Sequence, residues 1–100
     1  MNVRWTGKAS SDLARLYEHL RPVAPGAAAR VIRQLARAPD RLTRHPRIGE
    51  RLDAFAPREV RRIFVGDYEL RYEIAGETLL ILRLWQGREL RSDDAISVSL

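Results

Sequence analysis

Beyond residue 8 the apolar residues of this chain change their period once, and the change falls near residue 58. Between Ala9 and Leu42 they recur every three or four positions, whereas between Tyr68 and Ile74 they recur every second position. A helix turns by about 100° per residue and a strand by about 180°, so the first period belongs to helices and the second to strands. Helices grouped before strands imply a helical layer on one face of an antiparallel sheet, because each apolar stripe must find another to bury it.

The helical part is itself divided. Ala9, Leu13, Leu16, Tyr17 and Leu20 share one face, which predicts a helix from Lys8 to Leu20 with Thr6 or Ser10 as its N-cap. Pro22, Pro25 and Gly26 interrupt it, since proline lacks a backbone donor and holds its predecessor out of the helical region. Ala28, Val31, Ile32, Leu35, Ala38 and Leu42 then occupy one sector, with Arg30, Arg33, Arg37, Arg41 and Arg44 on the opposite side. Pro39 is expected to kink or divide this second helix and Pro46 to stop it. So short a connection predicts an antiparallel pair.

Val3 and Trp5 alternate with Asn2 and Arg4, as in a short first strand. Ile48 to Pro57 has no period and reads as a surface loop. Val60 to Val65 reads as a strand without clean alternation, which leaves the face of Arg62 open. Tyr68, Leu70, Tyr72 and Ile74 alternate with Glu69, Arg71 and Glu73 as a strand with one buried face requires. Gly66-Asp67 suits a two-residue hairpin turn with glycine first, and Ala75 to Thr78 makes a second turn. Leu79 to Trp85 is apolar except for Arg83, as expected of an interior strand. Ala95-Ile96-Ser97-Val98 suits either an edge strand or a frayed tail. The expected fold is α+β: an N-terminal strand and an antiparallel helical hairpin packed on a mainly antiparallel four-stranded sheet. Residues 1–100 form one domain in this reading, with 92–100 a loose tail or edge strand.

One hundred residues suffice for one core and not for two. The net charge of +5 rests on arginine, Lys8 being the only lysine among eighteen basic residues, and it favours an acidic partner, whether nucleic acid or protein. There is no cysteine, and His19 and His45 stand far apart, so no disulfide, metal site or cofactor is expected. The longest apolar run, Leu79 to Leu82, is far too short to span a membrane, and the first residues lack an apolar leader, so a bacterial cytoplasmic location is the expectation.

Arginines fall into two groups. The row Arg30, Arg33, Arg37, Arg41, Arg44 has the spacing of a partner clamp and equally that of a solvated helix face. Arg61, Arg62, Arg71, Arg83 and Arg88 fall instead among strand residues, where a cation needs a carboxylate or backbone partner because burying it alone is costly. Glu59, Glu69 and Glu73 are available for that. Arg83, inside an apolar strand, is expected on the open sheet face or in a salt bridge. Trp5 and Trp85 are read as packing between the first and last strands, Tyr68 and Tyr72 as core residues with wet hydroxyls, and His19 and His45 as exposed or capping.

Several segments together resemble the RelE/ParE toxin superfamily over nearly the whole chain. Val3-Arg4-Trp5-Thr6 with Ala9 and Asp12-Leu13-x-x-Leu16-Tyr17 resembles its opening strand and helix. Pro25-x-Ala27-Ala28-x-Arg30-Val31 and Leu42-x-x-His45-Pro46-x-Ile48-Gly49 resemble the second helix and its exit. Most specific are Arg58-Glu59-Val60, Gly66-Asp67-Tyr68-Glu69-Leu70-Arg71-Tyr72-Glu73-Ile74 and Ile81-Leu82-Arg83-Leu84-Trp85-Gln86-Gly87-Arg88-Glu89, in family order and spacing. The resemblance implies a small toxin held in a hetero-oligomer by an antitoxin whose acidic segment wraps it. It also implies one of two activities, messenger-RNA cleavage on the ribosome in RelE-like members or inhibition of DNA gyrase by binding in ParE-like ones.

Cleavage through the RNA 2′-hydroxyl needs a base, an acid and cationic donors. Where RelE-like nucleases resemble one another in having arginine after the Gly-x-Tyr turn, this chain has Glu69, and where histidine is frequent after the last strand it has Gln86, which exchanges no proton near neutral pH. Ser92, Asp93 and Asp94 stand where a catalytic tyrosine is frequent. Arg62 and Arg88 match cationic positions and are the residues a nuclease would use. No catalytic set is complete, so the resemblance points to the ParE branch, a binding inhibitor of gyrase. Arg62, Arg71, Arg83, Arg88, Arg30, Arg33 and Arg37 are then the candidates for contact with target or antitoxin. A ribosome-dependent endoribonuclease acting on mRNA and an inactive antitoxin-binding relative are the alternatives.

Overall fold

The computed structural model describes residues 1–87. The described elements run β1 (Asn2–Trp5), α1 (Gly7–Leu20), α2 (Pro25–Arg44), β2 (Glu50–Arg51), β3 (Glu59–Val65), β4 (Tyr68–Ala75) and β5 (Thr78–Gln86). They build an α+β fold in which a helical hairpin lies against a sheet of order β1-β5-β4-β3-β2. All pairings are antiparallel except that of β1 with β5, which is parallel. The sheet therefore has five strands among the described residues where four were expected. The edge strand considered at Ala95 to Val98 lies outside them, and so does Arg88.

Thr6 begins α1: its hydroxyl accepts from the Ala9 N–H at 3.1 Å and donates to the Leu82 carbonyl at 3.0 Å. One side chain thus satisfies a helix terminus and ties it to β5. Helix α2 runs undivided through Pro39, so of the kink or division expected there the division does not occur. The ring of Pro39 is buried on the core side, four residues beyond Leu35, and this packing offsets the one backbone hydrogen bond that proline cannot make. The stretch expected to be a loop carries two 3-10 turns, Pro46–Ile48 and Asp53–Phe55, around strand β2, which pairs with Arg61 and Arg62 of β3.

Both hairpin turns form as the glycines require. Gly66 and Gly76 have φ of 61° and 59°, and no other described residue has positive φ, which is the pattern of a two-residue turn with glycine first. Leu35 and Leu42 of α2 and Ala9 of α1 meet Ile63, Leu70, Tyr72, Leu79, Ile81 and Leu84 of the sheet to form the core. A β-bulge leaves Leu82 without an opposite residue, because Arg71 pairs with Arg83 and Tyr72 with Ile81. The bulge shifts the parity of β5, so Ile81 and Leu84 both reach the helical side.

Tyr72 is fully buried and its hydroxyl is not wet, as had been expected, but donates to the Pro46 carbonyl at 2.6 Å and accepts from the Gly49 N–H at 3.1 Å. Burial pushes this phenol above its ordinary range. Gly49 fits only without a side chain: a Cβ there would stand 2.6 Å from the Tyr72 oxygen and 2.7 Å from the Arg62 carbonyl oxygen.

Candidate functional site

The face of the sheet turned away from the helices collects three of the strand arginines, whereas Arg61 stands in register with the core residue Tyr72. In the β3–β4–β5 register Arg62 stands opposite Arg71 and Arg71 opposite Arg83, so three cations cross three adjacent strands in one row. Like charges directly opposite one another destabilise a sheet, and the row holds because carboxylates are threaded through it. Glu69, with no exposed surface, accepts from Arg71 at 3.0 Å and lies 3.5 Å from Arg62. Glu50 of the edge strand pairs with Arg62 at 2.9 Å. Asp12 of α1 pairs with Arg83 at 2.8 Å. The register thereby settles the face of Arg62, and Arg83 is in the salt bridge expected of it.

Aromatic rings complete this face. The Arg71 guanidinium lies 4.5 Å from the Trp85 ring and 5.5 Å from that of Phe55, and the Arg83 guanidinium lies 4.9 Å from Trp85. Trp85 is therefore a cation-stacking residue, not a packing partner of Trp5, which sits in register with Ile81 and packs on the core. Phe64, 53% exposed, takes the Arg62 guanidinium at 5.7 Å from its ring.

Asp12 joins this face to the helical layer. Strand β1 stops at Trp5, opposite Ile81, so the next part of the β5 edge lacks a strand neighbour. The buried Asp12 carboxylate accepts the Leu84 N–H there at 2.9 Å, together with two bonds from Arg83 and one from Arg15 at 3.3 Å. The hydrogen bond from Arg83 to Asp12 holds that guanidinium above its ordinary range. A cavity of about 200 Å³ opens beside it, lined by Asp12, Leu16, His19, Leu84, Trp85 and Gln86 among others. Near the opposite edge Arg61 and Arg47 donate to Glu59 and hold its carboxyl below the usual range, and Arg58 pairs with Glu73 at 2.7 Å.

Helix α2 presents a second basic surface. Arg30, Arg33, Arg37, Arg41 and Arg44 are all exposed, and none forms an ion pair with another described residue. The two surfaces approach at a cleft of about 540 Å³ where Gln34, Arg37, Ala38 and Arg41 face Phe64, Val65 and Gly66. Of the candidate residues, the structure thus gathers Arg62, Arg71 and Arg83 in one row and sets Arg30, Arg33 and Arg37 on another surface. It adds four that the sequence reading did not single out: Asp12, Glu50, Phe55 and Phe64. No local signal marked Asp12, whose partners on β5 lie 71 and 72 residues away, and Phe64 lay in a strand with no period to orient it. Among the described residues no cluster of three His, Cys, Asp or Glu side chains is placed to hold a metal, and no helix is long and apolar enough to cross a membrane.

A helical hairpin on one face, a parallel first strand and an antiparallel β3–β4–β5 run give the architecture expected of the RelE/ParE type. The chain belongs to the ParE toxin family of type II toxin–antitoxin systems, parDE, whose family model matches residues 3–91. It is also similar in structure to a chain of the chromosomal ParDE toxin–antitoxin system from P. aeruginosa, with a TM-score of 0.72 and 22% identity, over 86% of this chain and 95% of that one. At that identity the likeness is one of fold. No curated protein sequence matches the chain.

Proposed function

We propose that this ParE-family toxin acts by occupying a partner's surface, with DNA gyrase as its target, and that a cognate antitoxin encoded beside it neutralises it. The observation that carries the reading is the place of Glu69. A scissile phosphate approaching Arg62 and Arg71 meets a buried carboxylate already bound to both, and like charges repel most strongly where water is excluded. Gln86, at the end of β5, supplies no proton. The pairing of Arg62 with Glu50 and Glu69 further takes it out of service as a phosphate clamp. Family membership supports both the target and the antitoxin with its acidic segment, and the basic charge of the chain is consistent with the latter.

A supercoiling assay with purified toxin and gyrase tests the target: relaxed plasmid should persist and cleaved DNA should accumulate as toxin is added. Full supercoiling at toxin excess refutes the gyrase reading. Primer extension on messages translated in the presence of toxin should show no ribosomal A-site cuts; cuts that vanish in Arg62→Ala would establish the nuclease alternative. Co-expression of the neighbouring reading frame should restore growth, and its complex with the toxin should weaken as salt rises.

A further inference from the structure

The two sets of arginines differ in what satisfies them, and the difference assigns a use to the second. Every strand arginine of the far face described above is neutralised within the fold, by Glu50, Glu69 or Asp12. The five arginines of α2 have no carboxylate within ion-pair distance among the described residues. Placed at 100° per residue they fall within an arc of about 80°, and from Arg30 to Arg44 the row runs about 21 Å along the helix axis. Each is three or four residues from the next, so four successive like-charge neighbours each destabilise the helix by about 0.2–0.5 kcal/mol. Asp40 is the only acid on α2, and it is exposed. An unneutralised row of this kind is stabilised by a polyanion laid along it.

We propose that the outer face of α2 binds the phosphate backbone of duplex DNA without regard to sequence. The choice of duplex over an acidic protein segment rests on what the row lacks. Beside the arginines the same face carries Gln34 and Asp40 and no large apolar side chain, whereas Val31, Ile32, Leu35 and Leu42 turn toward the rest of the fold. Protein interfaces take most of their affinity from a few well-packed anchors, chiefly Trp, Tyr and Arg, while nucleic-acid backbones are held by cationic and polar groups that need no apolar anchor beside them. Exposed Phe64 lies across the cleft from Arg37 and Arg41, and exposed Ile48 shares a pocket with Arg44, so both stand at the margins of the row and not within it. The proposal is independent of the gyrase reading: a toxin that inhibits another target keeps this face, and a gyrase inhibitor without it loses only its grip on DNA.

The test is fluorescence anisotropy of the full-length chain on a labelled 20-base-pair duplex of arbitrary sequence, repeated from 50 to 200 mM salt. Five phosphate contacts predict a slope of log K against log salt near −4.5, or a loss of affinity of roughly 500-fold over that range. Two duplexes of unrelated sequence should bind alike. In Arg33→Gln/Arg37→Gln/Arg41→Gln the slope should fall by about 2.7, while Arg21→Gln, on α1, should leave it within error of the parent. Circular dichroism verifies that the variant is folded, and the parent's own salt slope tests the idea without any variant. A slope shallower than about −2, equal binding by the triple variant, or tighter binding of a polyglutamate peptide than of the duplex at equal salt would overturn the assignment.

Discussion

Replacing Asp12 by alanine tests the joint between the helical layer and the sheet. The carboxylate is 3% exposed and holds the Leu84 N–H at 2.9 Å and the Arg83 guanidinium at 2.8 Å. Alanine leaves the buried Leu84 N–H without an acceptor, at about 1–3 kcal/mol. Arg83 adds little, because its side chain is 32% exposed and turns to water when released. The expected loss is about 2–3 kcal/mol, and at about 4–8 °C per kcal/mol for a domain of this size it lowers Tm by roughly 10–20 °C. Asp12→Asn keeps one oxygen for Leu84 and should lose only about 1 kcal/mol. Urea titrations followed by far-ultraviolet circular dichroism measure both, with an unchanged m-value indicating that stability alone has moved. The reasoning places the loss at the backbone donor and not at the ion pair. If Arg83→Ala costs as much as Asp12→Ala, or if Asp12→Ala costs less than about 0.5 kcal/mol, it is wrong.

Three further outcomes follow from the same geometry. Tyr72→Phe strands the Gly49 N–H and the Pro46 carbonyl and should destabilise by about 1–3 kcal/mol at neutral pH in the same titration. Because burial raises the Tyr72 pKa above 10.0, the parent should lose stability as pH climbs beyond that value, a decline that thermal melts should find absent in the phenylalanine variant. Glu59 has the opposite sign: its pKa is lowered by hydrogen bonds from Arg61 and Arg47, so its contribution is complete above about 4.5 and is lost as pH falls below it. Glu59→Gln should flatten that acid limb, and an unchanged limb would mean the pairs are absent in solution. Gly49→Ala should cost more than about 2 kcal/mol, since the new methyl meets backbone and a bonded hydroxyl; melting within 5 °C of the parent, roughly 1 kcal/mol, would show that the turn relaxes.

The parts of the fold that were legible in the sequence are those with a long period. The helices each bury one continuous stripe and the two turns each carry a glycine that only a positive φ explains, while β4, expected to bury one face, alternates cleanly yet also buries Glu69 and Arg71 on the other. Strand β2 was missed because two residues have no period, and it exists only because Arg61 and Arg62 offer a partner edge. Pro39 was misjudged because local propensity opposes a helix there, while the decisive term, burial of the ring beside Leu35, belongs to the tertiary structure. The face of Arg62 could not be read from β3, whose apolar residues follow no alternation, but is fixed by pairing with Arg71 in the well-patterned neighbour. Asp12 acts on residues 71 and 72 positions away, and no local pattern can announce such a contact.

A position that matches a family's cationic residue says little about chemistry until the acid beside it is known. In a strand, residues two apart share a face, so Glu69, Arg71 and Glu73 put acids on either side of a base before any tertiary contact is made. Arg62 then adds itself to a row already supplied with carboxylate, and Glu50 completes the balance. In a helix the neighbours are three and four apart, and along α2 those places are filled with further arginines. The same residue type is thus internal structure on the sheet and unneutralised charge on the helix. Long-range attraction for an acidic partner must come chiefly from the helix, because a neutralised row projects little field beyond a Debye length of about 8 Å at physiological salt. The far sheet face instead keeps its cations paired, with Phe64 exposed and Trp85 stacked on two guanidinia.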